Sequence, residues 1–441
     1  MGEYFHSVRL IEDRCQGCVN CTRHCPTEAI RIRGGKALIT ESRCIDCGEC
    51  IRHCPAHAKA AVTDGLSDLQ RFEYNVALPA PALYGQFSPD VSIPVILCAL
   101  QRLGFDQVVE VARGAMLVSR VIADYLKQPG VKRPAISSAC PAVVKLIQVK
   151  FPELLEHLIP FSPPVEVAAR LARTEAVKNA GVSPDKVGVW FITPCPAKMT
   201  AIRRPLGTDK SHITGAIGMS AIYGDMLKAV SECGAQTGEF PKTASWEGVG
   251  WAVSGGETTA VQASNTLVVH GIHHVDDVLE QIVMGRLKNI EYIELLSCDG
   301  GCIGGPLTVE NHFVAEHRMR QRLRAMQKEE AGIALPDRED ITPQLGLAER
   351  RVIEPRPVMR LDEDISKAMD KAEVMVRTLK NLPGLDCGSC GSPNCKALAE
   401  DIAQGIASET DCVFKLRARV RDLAQEMFDL AEKLPPPLDK K

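Results

Sequence analysis

The chain has 441 residues, a length that a prior of roughly 100 to 200 residues per domain divides into two to four domains. Charged residues make up 24% of it and the formal net charge is −3, so no overall field favours nucleic acid or an anionic membrane. The start, MGEYFHSVRL, lacks the pattern of a signal peptide, and apolar stretches such as VSIPVILCAL fall short of the ~18 residues of a membrane helix. A soluble, cytoplasmic protein with neither nucleic acid nor membrane as partner is expected.

The informative number is 18 cysteines, which fall in clusters and read as thiolate metal ligands in a reducing compartment. Cys15, Cys18, Cys21 and Cys25 have the spacing C-x2-C-x2-C-x3-C followed by Pro26, and Cys44, Cys47, Cys50 and Cys54 repeat it before Pro55. Three cysteines so close can wrap one cubane, while the fourth is carried off to the other repeat's cluster. One cluster is then expected on Cys15, Cys18, Cys21 and Cys54, the other on Cys44, Cys47, Cys50 and Cys25; zinc is the bland alternative. The segment 5–62 resembles a bacterial two-cluster ferredoxin, and AIRIRGGKALIT fits its small hairpin.

After Ala60 the elements lengthen. Periodicity near 3.6 predicts helices over Ile93–Leu103, Ala115–Leu126, Val143–Leu158 and Val165–Lys178, and KVGVWFITPC and EYIELLSC read as buried strands running into turns. That alternation suggests an α/β domain whose ligands collect at strand ends. From Arg318 to Asp364 a charged, proline-studded stretch reads as exposed helix and linker. Cys387, Cys390, Cys395 and Cys412 then form a further set that favours a cubane over zinc. Val413, Leu416, Val420, Leu423, Met427, Leu430 and Leu434 step at heptad spacing, which suits either a pairing helix or one packed on its own domain.

Six cysteines remain. Cys98 and Cys233 lie in helical patterns and are expected to be small core hydrophobes. Cys140, Cys195, Cys298 and Cys302 sit in the turns SSACPA, TPCPAKM and SCDGGCIGGP, which together can hold one more cubane. These three loops resemble, in order and rough separation, the signature loops of the iron-only (FeFe) hydrogenases over residues 76–312. The resemblance implies an α/β hydrogenase domain built around parallel sheets with helices. A two-cluster ferredoxin-like α+β domain precedes it, and a small iron-sulfur domain with a C-terminal helix follows. The expected divisions are 1–75, 76–350, 351–412 and 413–441.

Carried over by that resemblance, Cys140, Cys195, Cys298 and Cys302 hold the cubane of the H-cluster. Cys302 bridges to a two-iron subcluster carrying carbon monoxide, cyanide and azadithiolate, and Lys198 hydrogen-bonds a cyanide. Glu294 matches the family's acid, while Ala80, Pro81, Ser254 and Gly255 resemble pocket-lining segments. With three further 4Fe-4S clusters, the hydrogenase domain lies between an N-terminal pair and a C-terminal cluster, so electrons are expected to enter or leave at either end.

The departures are as informative. Where the family carries a proton-passing cysteine before the first ligand, this chain has Ala139; Thr193, Ala201, Leu296 and Pro164 also replace family residues, and VARGAMLVSRVI lacks the family's proton-route glutamates. Alanine exchanges no proton at any pH, whereas general acid–base groups contribute on the order of 10²- to 10⁴-fold. Three readings follow. One is a slow hydrogenase used as a hydrogen or redox sensor, handing electrons or state to a partner. Another is a metabolic hydrogenase linked to soluble ferredoxin through a rerouted proton path, and the third a non-catalytic iron-sulfur carrier without the two-iron unit. A homodimer through the C-terminal helix stays open in all three.

Overall fold

The computed structural model describes residues 5–234, 244–329 and 352–433. They fall into two compact units: one gathers the N-terminal residues to Arg9, Cys44–Arg52 and Ala60–Pro357, the other Leu10–Arg43, His53–Lys59 and the chain from Val358 onward. The cysteine repeat is thereby divided, with Cys44, Cys47 and Cys50 in the larger unit and the first triplet, Cys25 and Cys54 in the smaller. The predicted hairpin is present in the smaller unit as β1 (Ile30–Arg33) and β2 (Lys36–Ile39), antiparallel, with Arg33 opposite Lys36. Gly34 and Gly35, at φ 56° and 73°, supply the two left-handed positions that a tight two-residue turn demands.

In the larger unit, β3 (Tyr74–Pro79), β4 (Gln107–Val108), β5 (Ala135–Ile136), β6 (Val187–Thr193), β7 (Gly215–Gly218), β8 (Thr266–His270) and β9 (Tyr292–Leu296) form two parallel sheets. One has the order β4-β3-β6-β7, the other β8-β9-β5. Every residue of β6 and β9 is buried, as their unbroken apolar runs imply for parallel strands covered on both faces. The connecting helices include α1 (Ile93–Arg102), α2 (Val111–Leu126), α3 (Pro141–Lys150), α4 (Pro164–Ala180), α5 (Pro196–Arg203), α6 (Met219–Cys233) and α7 (His312–Glu329).

Two expectations are corrected here. The single helix expected over Val143–Leu158 is α3 followed by a separate 3₁₀ segment, Pro152–His157. Pro152 disfavours the helical conformation at the residue before it, and Phe151 accordingly leaves the helix at φ −130°. Cys98 and Cys233, expected as unpaired core residues, form a disulfide between α1 and α6 with Cα atoms 6.3 Å apart; periodicity places each on a helix but cannot show that the helices adjoin. Residues 330–351 of the expected helix-and-linker stretch lie outside the described residues, as does Leu434.

Asp46 joins Cys44–Arg52 to the rest of the larger unit. Its carboxylate accepts from the Ser7 and Val8 amides (2.8 and 3.2 Å), from Lys145 Nζ of α3 (2.8 Å) and from Thr200 Oγ1 of α5 (2.9 Å). Burial opposes its ionisation, but His6, Lys145 and Thr200 outweigh burial and hold the carboxyl well below the ordinary carboxylate range.

In the smaller unit, α8 (Ile365–Asn381) is capped by the Asp364 carboxylate, which accepts from the amides of Ser366 and Lys367. With α9 (Cys395–Ala403) it encloses Leu382, Leu398 and Ala399 together with Cys395 and Cys412. α10 (Val413–Glu432) follows and buries none of its residues. This terminal domain docks on the hairpin. The Asp401 carboxylate accepts from Arg31 Nε (2.7 Å) and Arg33 Nη2 (2.8 Å), Glu400 pairs with Arg43, and the Ile32 amide donates to Gly391 O (2.7 Å).

Two substitutions test these anchors. Asp401→Ala strands Arg31 and Arg33 and is expected to cost about 3 kcal/mol, read as lost hydrogen-exchange protection in β1, β2 and α9. Asp46→Ala leaves Lys145 buried without its counter-charge, with an expected loss of about 3 to 5 kcal/mol. Because the Asp46 pKa is depressed on folding, its contribution is full above the ordinary carboxylate pKa and lost as pH falls through the folded value. Wild-type acid denaturation should therefore shift in the variant.

Candidate metal centre

The centre is assembled where both sheets deliver their carboxyl ends. β5 runs into Ser137–Cys140, and Cys140 stands at the N-cap of α3 with Pro141 in the first turn; β6 runs into Cys195, which stands likewise before Pro196 and α5. Proline at these positions removes an amide that would have no helical partner and fixes where each helix begins, and so where each sulfur points. β9 leads to Cys298 and, through Gly300 and Gly301 at φ 73° and 95°, to Cys302.

The four sulfurs lie within electrostatic reach of one another. Burial pushes the Cys195 thiol up to about 12, reinforced by Cys140 and Cys302, and the Cys302 thiol up to about 11, against the pull of Lys198. Cys298 is driven well above the ordinary thiol range by burial and by its three neighbours. Four converging thiols, of which Cys195, Cys298 and Cys302 resist ionisation, become ligands when a soft polynuclear cation takes their charge, so the donor set fits an iron-sulfur cubane.

Beside these sulfurs lies a cavity of about 90 Å³ whose wall includes Ala80, Pro81, Ala139, Lys198, Glu257 and Glu294. Lys198 Nζ donates to the Ala139 carbonyl at 2.9 Å, which holds the ammonium against the first loop. Ser254 and Gly255 are not part of the wall. The Ser254 amide donates to Gly300 O (3.0 Å) and the Gly255 amide to Glu294 Oε1 (2.9 Å), so they brace the third loop and the acid behind it. Glu294 also accepts from the amide and hydroxyl of Thr258 (2.8 and 2.7 Å).

Glu257 escaped the sequence reading. It is 2% exposed, and its carboxylate accepts from Ser137 Oγ (2.9 and 2.8 Å) and from the Tyr292 hydroxyl (2.5 Å). The Ser137 hydroxyl in turn accepts from the Ala139 amide at 3.3 Å. Burial first, then the charge of Glu294, pushes the Glu257 carboxyl up to about 8. Its only signal in the sequence was an acid directly after the small-residue string SGG.

The other cysteine sets are partly assembled within single units. Cys21 is pushed up to about 11 by burial and by the charges of Cys18, Cys54 and Cys15, so Cys54 joins the first triplet as the repeat rule requires. Cys25 Sγ accepts from the Ala29 amide and Cys54 Sγ from the Ala58 amide, both at 3.2 Å, so the two repeats match in detail. Cys390, Cys395 and Cys412 share one buried cluster, while hydrogen bonds from Ser389 hold the Cys387 thiol below its ordinary range. In the larger unit Cys47 packs in the same cluster as Cys140 and Cys195. Gly48 has φ 81°, and a Cβ there would come within 2.5 Å of Pro306 and 3.1 Å of Pro196; Arg52 Nη2 donates to Gly304 O at 2.6 Å. The Cys44–Cys50 loop is thus pressed onto the second and third cluster loops.

Comparisons with known proteins bear on the family of the chain. The family model for the C-terminal domain of the iron-only hydrogenase large subunit matches residues 73–267 and 252–306. A 4Fe-4S dicluster domain matches 7–55, and an Fe-S cluster model matches 382–414. The periplasmic [Fe] hydrogenase large subunit of Nitratidesulfovibrio vulgaris is 26% identical over 393 residues, 75% of this chain and 93% of its own. A cytosolic Fe-S cluster assembly factor, NAR1 of Sclerotinia sclerotiorum, is 28% identical over 156 residues, 33% of this chain and 27% of its own. Among solved structures, a variant of the [FeFe]-hydrogenase HydA1 of Chlamydomonas reinhardtii aligns with 66% of this chain and 98% of its own, at 13% identity and a TM-score of 0.48. The hydrogenase domain model spans more than half of the chain, which therefore belongs to the iron-only hydrogenases.

Proposed function

We propose that this chain is an FeFe hydrogenase of low turnover that senses hydrogen or redox state and passes electrons or that state to a partner protein. The observation that carries the reading is Ala139, a side chain without an exchangeable proton at the wall of the cavity beside the four cysteines. In this reading Cys140, Cys195, Cys298 and Cys302 hold the cubane of the H-cluster, Cys302 and Lys198 face the two-iron subcluster, and the other twelve cysteines outside the disulfide hold three further 4Fe-4S clusters. The bound H-cluster supplies the site where hydrogen is split or formed.

The protein's own part is to hold charge and move protons. Lys198 brings a cation to an otherwise thiolate-rich wall, where an anionic ligand is stabilised by a charge-assisted hydrogen bond. With Ala139 inert, the buried acid Glu257 stands beyond the Ser137 hydroxyl, which accepts from the Ala139 amide. Glu294, fastened by three donors, acts on Glu257 through its charge. A relay through a buried serine and acid also favours the second reading, a metabolic hydrogenase with a rerouted path and a soluble ferredoxin as partner. The carrier reading finds less support, since a bare cubane gives neither Lys198 nor the cavity a task.

Residues 1–75 would then relay electrons, 76–350 hold the H-cluster, 351–412 carry the last cluster and 413–441 end the chain in a helix. A reducing cytoplasm suits so many thiolate ligands; the Cys98–Cys233 disulfide is the feature that argues the other way.

The test is hydrogen oxidation and evolution by protein matured with the two-iron cofactor, beside Ala139→Cys and Glu257→Gln. A slow wild type, accelerated on the order of 10²-fold by Ala139→Cys, supports the sensor. A fast wild type that Ala139→Cys leaves unchanged and Glu257→Gln abolishes supports the rerouted metabolic enzyme. No infrared bands of carbon monoxide and cyanide after maturation would support the carrier. Proton acceptance needs ionised Glu257, so hydrogen oxidation should rise as pH passes about 8, with hydrogen evolution doing the reverse, and Glu257→Gln should flatten both profiles.

A further inference from the structure

The helix α10 has a solvent-facing apolar stripe and a charge order that works against it as a lone helix. Val413, Leu416, Val420, Leu423, Met427 and Leu430 occupy a and d positions of successive heptads, and the least exposed of them, Leu423, is still 41% exposed. Its charged residues are sorted by sign. From Val413 to Arg421 they are Lys415, Arg417, Arg419 and Arg421; from Asp422 to Glu432 they are Asp422, Glu426, Asp429 and Glu432. Cations at the N-terminal end and anions at the C-terminal end are the reverse of what the helix macrodipole favours.

An antiparallel partner with the same sequence resolves both features, and we infer that α10 pairs with α10 of a second copy of this chain in a two-stranded antiparallel coiled coil. The register follows from the stripe. Val413 layers on the second copy's Leu430, Leu416 on its Met427, and Val420 on its Leu423, which accounts for all six apolar positions. In that register the flanking g positions face each other, so Arg419 of each copy meets Glu426 of the other, giving two symmetric ion pairs. The basic half of each helix then lies along the acidic half of its partner, and the two macrodipoles oppose.

A parallel pair would use the same stripe less well. Its g positions would face e positions, where Arg419 meets Ala424 and Glu426 meets Ala431, while basic half would lie beside basic half. The charge order therefore selects a second copy run the other way, a closed two-fold contact. The inference does not depend on the hydrogenase turnover or on sensing.

The test is sedimentation equilibrium of the full-length iron-loaded protein at micromolar concentration. The wild type is expected to be a dimer. Arg419→Glu places like charges at both symmetric sites and should raise the dissociation constant about tenfold or more; Arg419→Glu with Glu426→Arg should restore it. Iron content and per-protomer hydrogen activity should be equal in all three, because neither residue touches a metal loop. A monomeric wild type overturns the inference, and so does a dimer that Arg419→Glu leaves unweakened, which would mean a parallel pair or another surface.

Discussion

Asp46 stands between Cys44 and Cys47 with no exposed side-chain surface, and its two oxygens are shared among the Ser7 and Val8 amides, Lys145 and Thr200. Lys145 belongs to the helix that starts at Cys140, and Thr200 to the helix that starts at Cys195. One buried carboxylate thus fixes three cysteine loops from different parts of the chain against each other. The arrangement is stable because each lone pair of Asp46 has a donor and its charge a buried counter-ion; with fewer partners the same burial would force it to take a proton.

The second constraint is topological. Parallel strands deliver their carboxyl ends to one side of a sheet, and here two sheets deliver theirs to one cavity: Cys140 and Cys298 from the three-stranded sheet, Cys195 and Ala80 from the four-stranded one. Glu257 and Glu294 stand in the wall of that cavity, and Ser137 and Tyr292 donate to Glu257. Two acids in a dry wall cannot both ionise easily, and this raises Glu257 into a range where it can exchange a proton near neutral pH.

Much of this was legible in the sequence because the signals were local. The C-x2-C-x2-C-x3-C repeat, the hairpin around Gly34 and Gly35, the apolar run of β6 and the Cys-Pro turns each specify their own geometry. What escaped was non-local. Glu257 meets Ser137 across a gap of 120 residues, the Cys98–Cys233 disulfide spans 135, and Asp46 reaches Lys145 over 99. No periodicity encodes such pairings. The break in the helix at Phe151 was local and readable, since Pro152 was there to be weighed, but the apolar period ran through it. Ser254 and Gly255 were placed in the right neighbourhood, yet a string of small residues could not distinguish a cavity wall from the brace behind it.

The ionic clasp between the hairpin and α9 also has a consequence for how the chain comes into being. Arg31 leaves the ribosome 370 residues before Asp401, the acid that receives it. At elongation rates of roughly 5 to 20 residues per second, that gap lasts about 20 to 70 seconds. Throughout it the nascent hairpin has no α9 to cover it, and for nearly all of it Cys15, Cys18, Cys21 and Cys54 have already been synthesised. The four cysteines that the repeat rule groups for one cluster are therefore complete well before the last domain arrives to dock on the hairpin.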